Sequence, residues 1–358
     1  MTAKILMLPR YGGLGASSRV RFLQYVPFLT GAGYQVDVAP LLSDEYVRRT
    51  YQGRRAFGVI MQSYFGRMLT MGRMASYDLL WVEKELWPWL PAFLERAGTR
   101  MAGRVVVDYD DAIFHRYDHH ASAIVRRMLG SKIDEVMRYA DAVTVGNAYL
   151  GDRARCAGSE KQLWLPTVVD LERYGTPPNA EKDDPLVIGW IGSPATAAYL
   201  QLVAPALESL SRQYQIRCLA IGARADQLQG TPFESVSWSE GDEVAQLQRF
   251  DIGIMPLPDE PWERGKCGYK LIQYMACGLP VVASPVGINR EIVRHGENGF
   301  QATKEPEWIE ALQTLVADAA LRASMGMMGR QLVEDVYSLQ AQAPRLQTLF
   351  RELVESHV

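Results

Sequence analysis

The chain has 358 residues, 48% hydrophobic and 22% charged, with 38 Lys and Arg against 41 Asp and Glu for a formal net charge of −3. Single hydrophobic cores stop growing at about 250 to 300 residues, so this length implies two domains. The balance excludes a disordered chain, a collagen-like repeat and a strongly basic nucleic-acid binder, and nucleic acid is not expected as a partner.

The charge is unevenly spread, with 23 basic and 18 acidic side chains in residues 1–180 and 15 and 23 in the rest. Such an N-terminal half suits a phosphate-bearing acceptor or a membrane surface, the plainer alternative being a solvated face of excess charge. Cys156, Cys218, Cys267 and Cys277 form no CxxC pair and have no accompanying His cluster, so reduced thiols and a cytoplasmic location are expected, with no zinc site. The apolar run after Lys4, residues 5–9, is too short for a signal-peptide core, and no uninterrupted run of about 18 apolar residues occurs.

In chain order, short apolar runs at 5–8, 36–39, 79–82, 104–108 and 142–145 predict five strands separated by amphipathic stretches, the βαβ rhythm of a parallel sheet. After the first, Gly12-Gly13-Leu14-Gly15 feeds a helix whose N-terminus offers unpaired N–H groups to an anion. Neither GxGxxG nor a Walker lysine is present, and a tight βα turn without ligand is the alternative. Arg19 and Arg21 follow, as contacts for an anionic acceptor or as helix-surface charges.

Residues 46–74 interleave Arg48, Arg49, Arg54, Arg55, Arg67 and Arg73 with Tyr, Phe, Ile, Leu and Met. This predicts a basic amphipathic helix that either rests on an anionic membrane or packs on the sheet with a basic outer face. Near Trp81 to Trp89 the sequence is rich in aromatic rings, suited to sugar stacking or to packing. Asp108, Asp110 and Asp111 end the fourth predicted strand, with His115 close behind. Asp110 or Asp111 would orient sugar or acceptor hydroxyls, His115 being the titratable alternative and a helix cap the structural role for one aspartate.

Prolines and charges across 165–184 mark a boundary, after which strands are predicted at 186–191, 217–221, 236–238, 252–255 and 280–283. Gly192 and Ser193 end the first of these, at the carboxyl edge where open α/β sheets bind ligands. Helices are expected around Trp308 to Val316 and over 343–354.

The segment Gly265-Lys266-Cys267-Gly268-Tyr269-Lys270-Leu271-Ile272-Gln273-Tyr274-Met275-Ala276-Cys277-Gly278-Leu279-Pro280-Val281-Val282, followed by Gly296-Glu297-Asn298-Gly299, resembles the retaining GT-B glycosyltransferases of family 4. The glycine turn at 12–15, the P..VD stretch at 166–170 and Gly192-Ser193 fall where that family has them. The resemblance implies two Rossmann-like α/β domains facing across a cleft. The first is 1–170 with a returning helix at 340–358, and the second, donor-binding, is 171–339. It further implies transfer from a nucleoside-diphosphate sugar, UDP- or GDP-linked, to a glycan or lipid-linked acceptor in cell-surface polysaccharide assembly, with no metal.

Gly12, Gly13, Gly15, Gly192, Ser193, Gln273 and Trp238 are implied on the donor, and Lys266 and Lys270 on its diphosphate, where positive charge helps the leaving group depart. The family's two glutamates, separated by seven residues, are replaced by Gly265 and Gln273, with Glu263 two residues before the first. That loss keeps open a noncatalytic nucleotide-sugar-binding or scaffolding protein, and beyond it a GT-B-type sugar-nucleotide epimerase.

Overall fold

The computed structural model describes residues 3–100, 102–175 and 185–356. The expected linker residues 176–184 lie outside the described residues. The chain divides into two units, one of residues 1–167 with 342–358 and one of residues 168–341.

In the first unit six parallel strands, β1 (Lys4–Leu8), β2 (Gln35–Val38), β3 (Leu79–Glu83), β4 (Arg104–Tyr109), β5 (Ala142–Val145) and β6 (Gln162–Trp164), are ordered β2-β1-β3-β4-β5-β6. Every residue of β3 and β5 is buried, because a parallel sheet is covered by helices on both faces. That double burial is why these strands appear in the sequence as unbroken apolar runs. Strand β6, partly buried at the sheet edge, has no such run and was not expected. The last helix, Leu339–Glu355, gives its residues from Gln342 onward to this unit, where Phe350 packs edge-on against Trp81 at 5.4 Å.

The second unit has β7 (Leu186–Ile191), β8 (Ile216–Ile221), β9 (Phe233–Val236), β10 (Ile252–Met255), β11 (Val281–Ala283) and β12 (Gly299–Gln301) in the order β12-β11-β10-β7-β8-β9, again all parallel. Its core gathers Ile188, Trp190, Leu207, Ile254, Trp308 and Leu312. The expectation of two parallel α/β sheets holds. Both sheets reverse their strand order, between β1 and β3 and between β7 and β10, and ligands of such sheets bind outside the carboxyl ends of the strands at that reversal.

Three local expectations are corrected. The strand expected at 236–238 is β9, which ends at Val236 and leaves Trp238 in the loop beyond. Residues 46–74 form no single helix: Asp44–Tyr51 and Phe57–Met71 are separate, broken around Gly53, whose φ of +67° suits glycine. An additional helix, Ala319–Val336, lies between the two expected near the C-terminus. No helix among the described residues is long and apolar enough to cross a membrane.

Candidate functional site

At the β1/β3 reversal of the first unit, β3 ends in three consecutive buried charges, Glu83, Lys84 and Glu85. Lys84 has a φ of +65°, an uncommon backbone for a side chain of this kind and a mark of local strain. Its Nζ lies 2.8 Å from Asp110 and 3.5 Å from Asp111. Burial alone would lower the Lys84 ammonium, but Asp110, Asp111 and Glu83 outweigh it and hold the group charged. Burial likewise acts to raise Asp110, yet Lys84 and Arg21 more than offset it and hold the carboxyl down at about 2.

Ser17 Oγ stands 2.7 Å from an oxygen of Glu83 and 2.7 Å from an oxygen of Asp110. One hydroxyl carries one proton, so both contacts are satisfied only when a carboxyl supplies the other. Burial pushes Glu83 up, against the pull of Lys84, while Lys84 and Arg21 hold Asp110 low. Asp111 is the most open of the set, with 27% of its side chain exposed, and is the carboxylate most accessible to a hydrogen-bond donor from solvent. Behind this layer Lys132 is fully buried between Glu85 at 2.7 Å and Glu95 at 2.8 Å.

Several expected residues of this unit have other work. Arg21 is corrected from an acceptor contact to a buried strut: it is 1% exposed, clasps Asp108 through Nε at 2.9 Å and Nη2 at 2.5 Å, and donates to the Leu165 carbonyl at 2.7 Å. Asp108, the first of the three aspartates, is thereby spent on structure. Arg19 is also buried and donates to the Gly13 carbonyl at 3.2 Å.

The glycine turn is corrected as well, because the chain's own Asp44 occupies it. Asp44 Oδ1 takes the Leu14 N–H at 2.9 Å, and a side chain on Gly12 would strike that carboxylate. Gly15 is required by Tyr11, whose Cβ would lie 2.3 Å from an added Cβ, while Gly13 has open space. An anionic phosphate has no reason to settle on a turn already holding a carboxylate.

His115 uses both ring nitrogens locally, on Asp118 at 2.9 Å and on the Tyr149 hydroxyl at 2.7 Å, and burial lowers it. His115, Asp118 and His119 bring ligand atoms within 4.8 Å of one another. The two imidazoles are stacked at 4.1 Å, so their in-plane lone pairs do not converge on one ion, and Arg153 already pairs with Asp118 at 3.2 Å. Of the aromatic residues, Trp81 and Trp87 are core, while Trp89 is 46% exposed.

In the second unit, Gly192 closes β7 at the β7/β10 reversal. A side chain there would collide with the Trp190 ring at 2.3 Å and with Lys270 Cε at 2.9 Å, so glycine is what lets the lysine reach the strand tip. Lys270 Nζ lies 4.8 Å over the Trp190 ring and 3.5 Å from Thr196 Oγ1, and among the described residues no carboxylate pairs with it. Burial, with Lys266 adding repulsion, lowers the Lys270 ammonium to about 7. Ser193 accepts the Thr196 N–H at 3.0 Å, closing the same loop.

Lys266 sits in the turn before the helix Tyr269–Ala276 rather than on it, with Nζ 5.7 Å from the Trp262 ring. Glu263 is not available in place of the missing glutamate, being buried as the acceptor of the Tyr199 hydroxyl. Gln273 is 2% exposed and donates from Nε2 to the Tyr174 hydroxyl at 2.8 Å. Trp238 donates its indole N–H to Glu243 at 2.8 Å. Sequence reasoning missed Lys84, Glu83 and Ser17 in one unit and Trp190, Tyr174 and Glu243 in the other. Of these only Glu83 and Lys84 carried a local signal, charges at the carboxyl end of an apolar strand.

The family model for glycosyl transferases group 1 matches residues 185–318, the greater part of the second unit. Sulfoquinovosyl transferase SQD2 of Arabidopsis thaliana is 25% identical over 221 residues, 55% of this chain and 42% of that protein. Alpha-1,3/1,6-mannosyltransferase ALG2 of Rhizomucor pusillus is 31% identical over 90 residues, 25% of this chain and 20% of that one. The chain thus spans less than half the length of either curated relative. Among solved structures, sucrose-phosphate synthase from Thermosynechococcus elongatus superposes with a TM-score of 0.71 at 16% identity, covering 99% of this chain and 100% of that one. Anabaena HepE, crystallised with UDP and glucose, gives 0.70 at 16% identity over 98% and 99%. At that identity the likeness establishes the fold, which is GT-B.

Proposed function

Because residues 185–318 match glycosyl transferases group 1, we propose that the chain moves a sugar from a nucleoside-diphosphate sugar to a hydroxyl of a glycan or lipid-linked acceptor, with retention at the anomeric carbon, in cell-surface polysaccharide or glycolipid assembly. The observation that carries the reading is Lys270, a half-buried cation beside the tip of β7 that pairs with no carboxylate among the described residues. An ammonium removed from water without a counter-ion is costly, and a bound diphosphate relieves that cost. As the bond between sugar and phosphate breaks, negative charge grows on the departing diphosphate, and Lys270 and Lys266 stabilise it without a metal.

Gln273, one turn along the same helix, faces the pentose. In the first unit Asp111, with Asp110 held by Lys84, orients sugar or acceptor hydroxyls. Structures of Anabaena HepE with UDP and with UDP-glucose make a uridine donor the first to try, with guanosine next.

The helix Phe57–Met71 supports a lipid-linked acceptor. It is turned inside out: Arg67 is 4% exposed, whereas Phe57, Met61, Phe65 and Met68, spaced along one face, are 55 to 74% exposed. Residues 46–74 hold six arginines and no Asp or Glu, and Arg48, Arg54, Arg55 and Arg73 are exposed. An apolar stripe flanked by unopposed arginines fits an anionic membrane at the cytoplasmic face.

The test is thermal stabilisation by UDP, GDP, ADP, TDP and CMP with their sugar conjugates, run on wild type and Lys270→Ala, since a ligand of the folded state raises stability by mass action. A shift with one diphosphate that is lost in the variant supports the reading. An equal shift in both proteins overturns it. Gly265 and Gln273, in place of two glutamates, favour a second reading, a noncatalytic binder. Stabilisation by donor without turnover on any acceptor would establish that alternative.

A further inference from the structure

This inference rests on the second unit being a nucleotide-sugar site and concerns how Gln273 is aimed. We infer that Glu243 and Tyr174 form a directional hydrogen-bond relay that fixes the side-chain amide of Gln273, leaving its carbonyl oxygen as the end offered to a ligand and making this position select for a ribose hydroxyl.

The direction follows from which groups hold protons. Glu243 takes the Trp238 indole N–H on one oxygen at 2.8 Å and faces the Arg173 guanidinium with the other at 3.3 Å. Both partners only donate, so Glu243 only accepts. The Tyr174 hydroxyl, 3.1 Å from that second oxygen, therefore gives its proton to Glu243 and keeps lone pairs alone for its remaining neighbour. That neighbour is Gln273 Nε2 at 2.8 Å. A reversed amide would set its carbonyl against the tyrosine oxygen, two acceptors face to face. Glu243 is 3% exposed and Tyr174 and Gln273 are each 2% exposed, so water does not rescue the wrong orientation.

The free end has a defined place. Gln273 lies three positions after Lys270, on the same face of the helix Tyr269–Ala276. With a diphosphate on Lys270, the group one turn away is the pentose, whose hydroxyls donate to a carbonyl. A freely turning glutamine would offer N–H groups as readily as the oxygen. The relay removes that ambiguity and makes an uncharged amide behave toward the sugar as a carboxylate would. Tyr174 and Glu243 are thus positioning residues, acting only through Gln273.

The experiment is calorimetric titration of the full chain with UDP and 2′-deoxy-UDP, 3′-deoxy-UDP and the guanosine equivalents, with inorganic pyrophosphate as control. Wild type is expected to bind a ribonucleotide about tenfold or more tighter than one of its deoxy forms, the range of one buried hydrogen bond. Tyr174→Phe should bring that ratio within about threefold while pyrophosphate binding is unchanged, because only the amide is released. The double variant Tyr174→Phe with Gln273→Glu should restore the ratio, since a carboxylate has no wrong end. A purely structural role for Tyr174 predicts no such rescue. A wild-type ratio in Tyr174→Phe, or failure of the double variant to restore it, would overturn the inference with the lysine site intact. Absence of both nucleotide and pyrophosphate binding in wild type would overturn the donor reading and this inference with it.

Discussion

The Lys270 ammonium rests 4.8 Å above the Trp190 ring, in space that exists only because residue 192 has no side chain. Burial first, and Lys266 second, bring Lys270 down to about 7, so near neutrality the side chain is a mixture of amine and ammonium. On the proposed reading a diphosphate would bind the ammonium, so binding should take up a proton. Affinity is therefore full below pH 7 and is lost as pH rises through 7, by up to about tenfold per pH unit until the complexed lysine itself titrates. Titrations with UDP between pH 7 and 9, where the diphosphate's own ionisation is nearly complete, should show this slope. Lys270→Arg, charged throughout, should flatten it, and a slope unchanged in that variant would remove Lys270 as its source.

Turnover should separate the two exposed-end aspartates of the first unit. Asp111→Asn leaves Lys84 paired with Asp110 at 2.8 Å, so the expected result is about a 10- to 100-fold fall in kcat/KM with little change in Tm. Asp110→Asn instead strips the buried Lys84 of its nearest counter-charge and should lower stability by about 3 kcal/mol, visible as a drop in denaturant midpoint. Equal thermal losses in both variants would contradict this division.

Arg21→Met should cost about 3 to 5 kcal/mol, because Asp108, with no exposure to water, loses the cation that offsets its burial and keeps only the Thr144 hydroxyl. Replacing both members, Arg21→Met with Asp108→Leu, should cost less than the single change, since no orphaned charge remains. Urea melts of the three proteins are the measurement, and a double variant weaker than Arg21→Met would count against the strut.

Vesicle flotation tests the outward face of the helix Phe57–Met71. Phe57→Ser with Phe65→Ser removes two rings that are 74% and 59% exposed and should abolish binding to phosphatidylglycerol vesicles without lowering Tm. Raising salt from 0.1 to 1 M should weaken binding of the unaltered chain by screening the arginines. Equal flotation on neutral and anionic vesicles would exclude the electrostatic part.

How far the sequence reveals this molecule depends on the separation of the residues concerned. Strands β1, β3 and β5 are legible because double burial writes itself locally as consecutive apolar residues. Lys266 and Lys270 are legible because their glycines and the following helix form one short motif. Arg21 is misread for the opposite reason: its local pattern says surface helix, and the carboxylate that draws it inside is 87 residues away on β4. The relay on Gln273 is equally invisible, since its partner Tyr174 is 99 positions distant and Glu243 a further 69 from that tyrosine. Pairing across a sheet or between loops leaves no periodicity to read.

The first unit is assembled from both ends of the chain, with Phe350 against Trp81 and Arg104 donating to the Leu353 carbonyl at 3.3 Å, while the second unit is continuous over residues 168–341. During synthesis the usual N-to-C order of domain completion is therefore reversed. Residues 1–167 keep an unfinished hydrophobic face until the residues from Gln342 onward have been made, whereas the later unit has all its segments first. A stop codon before residue 342 would thus spare the second unit and leave the earlier-translated half as the one handed to chaperones.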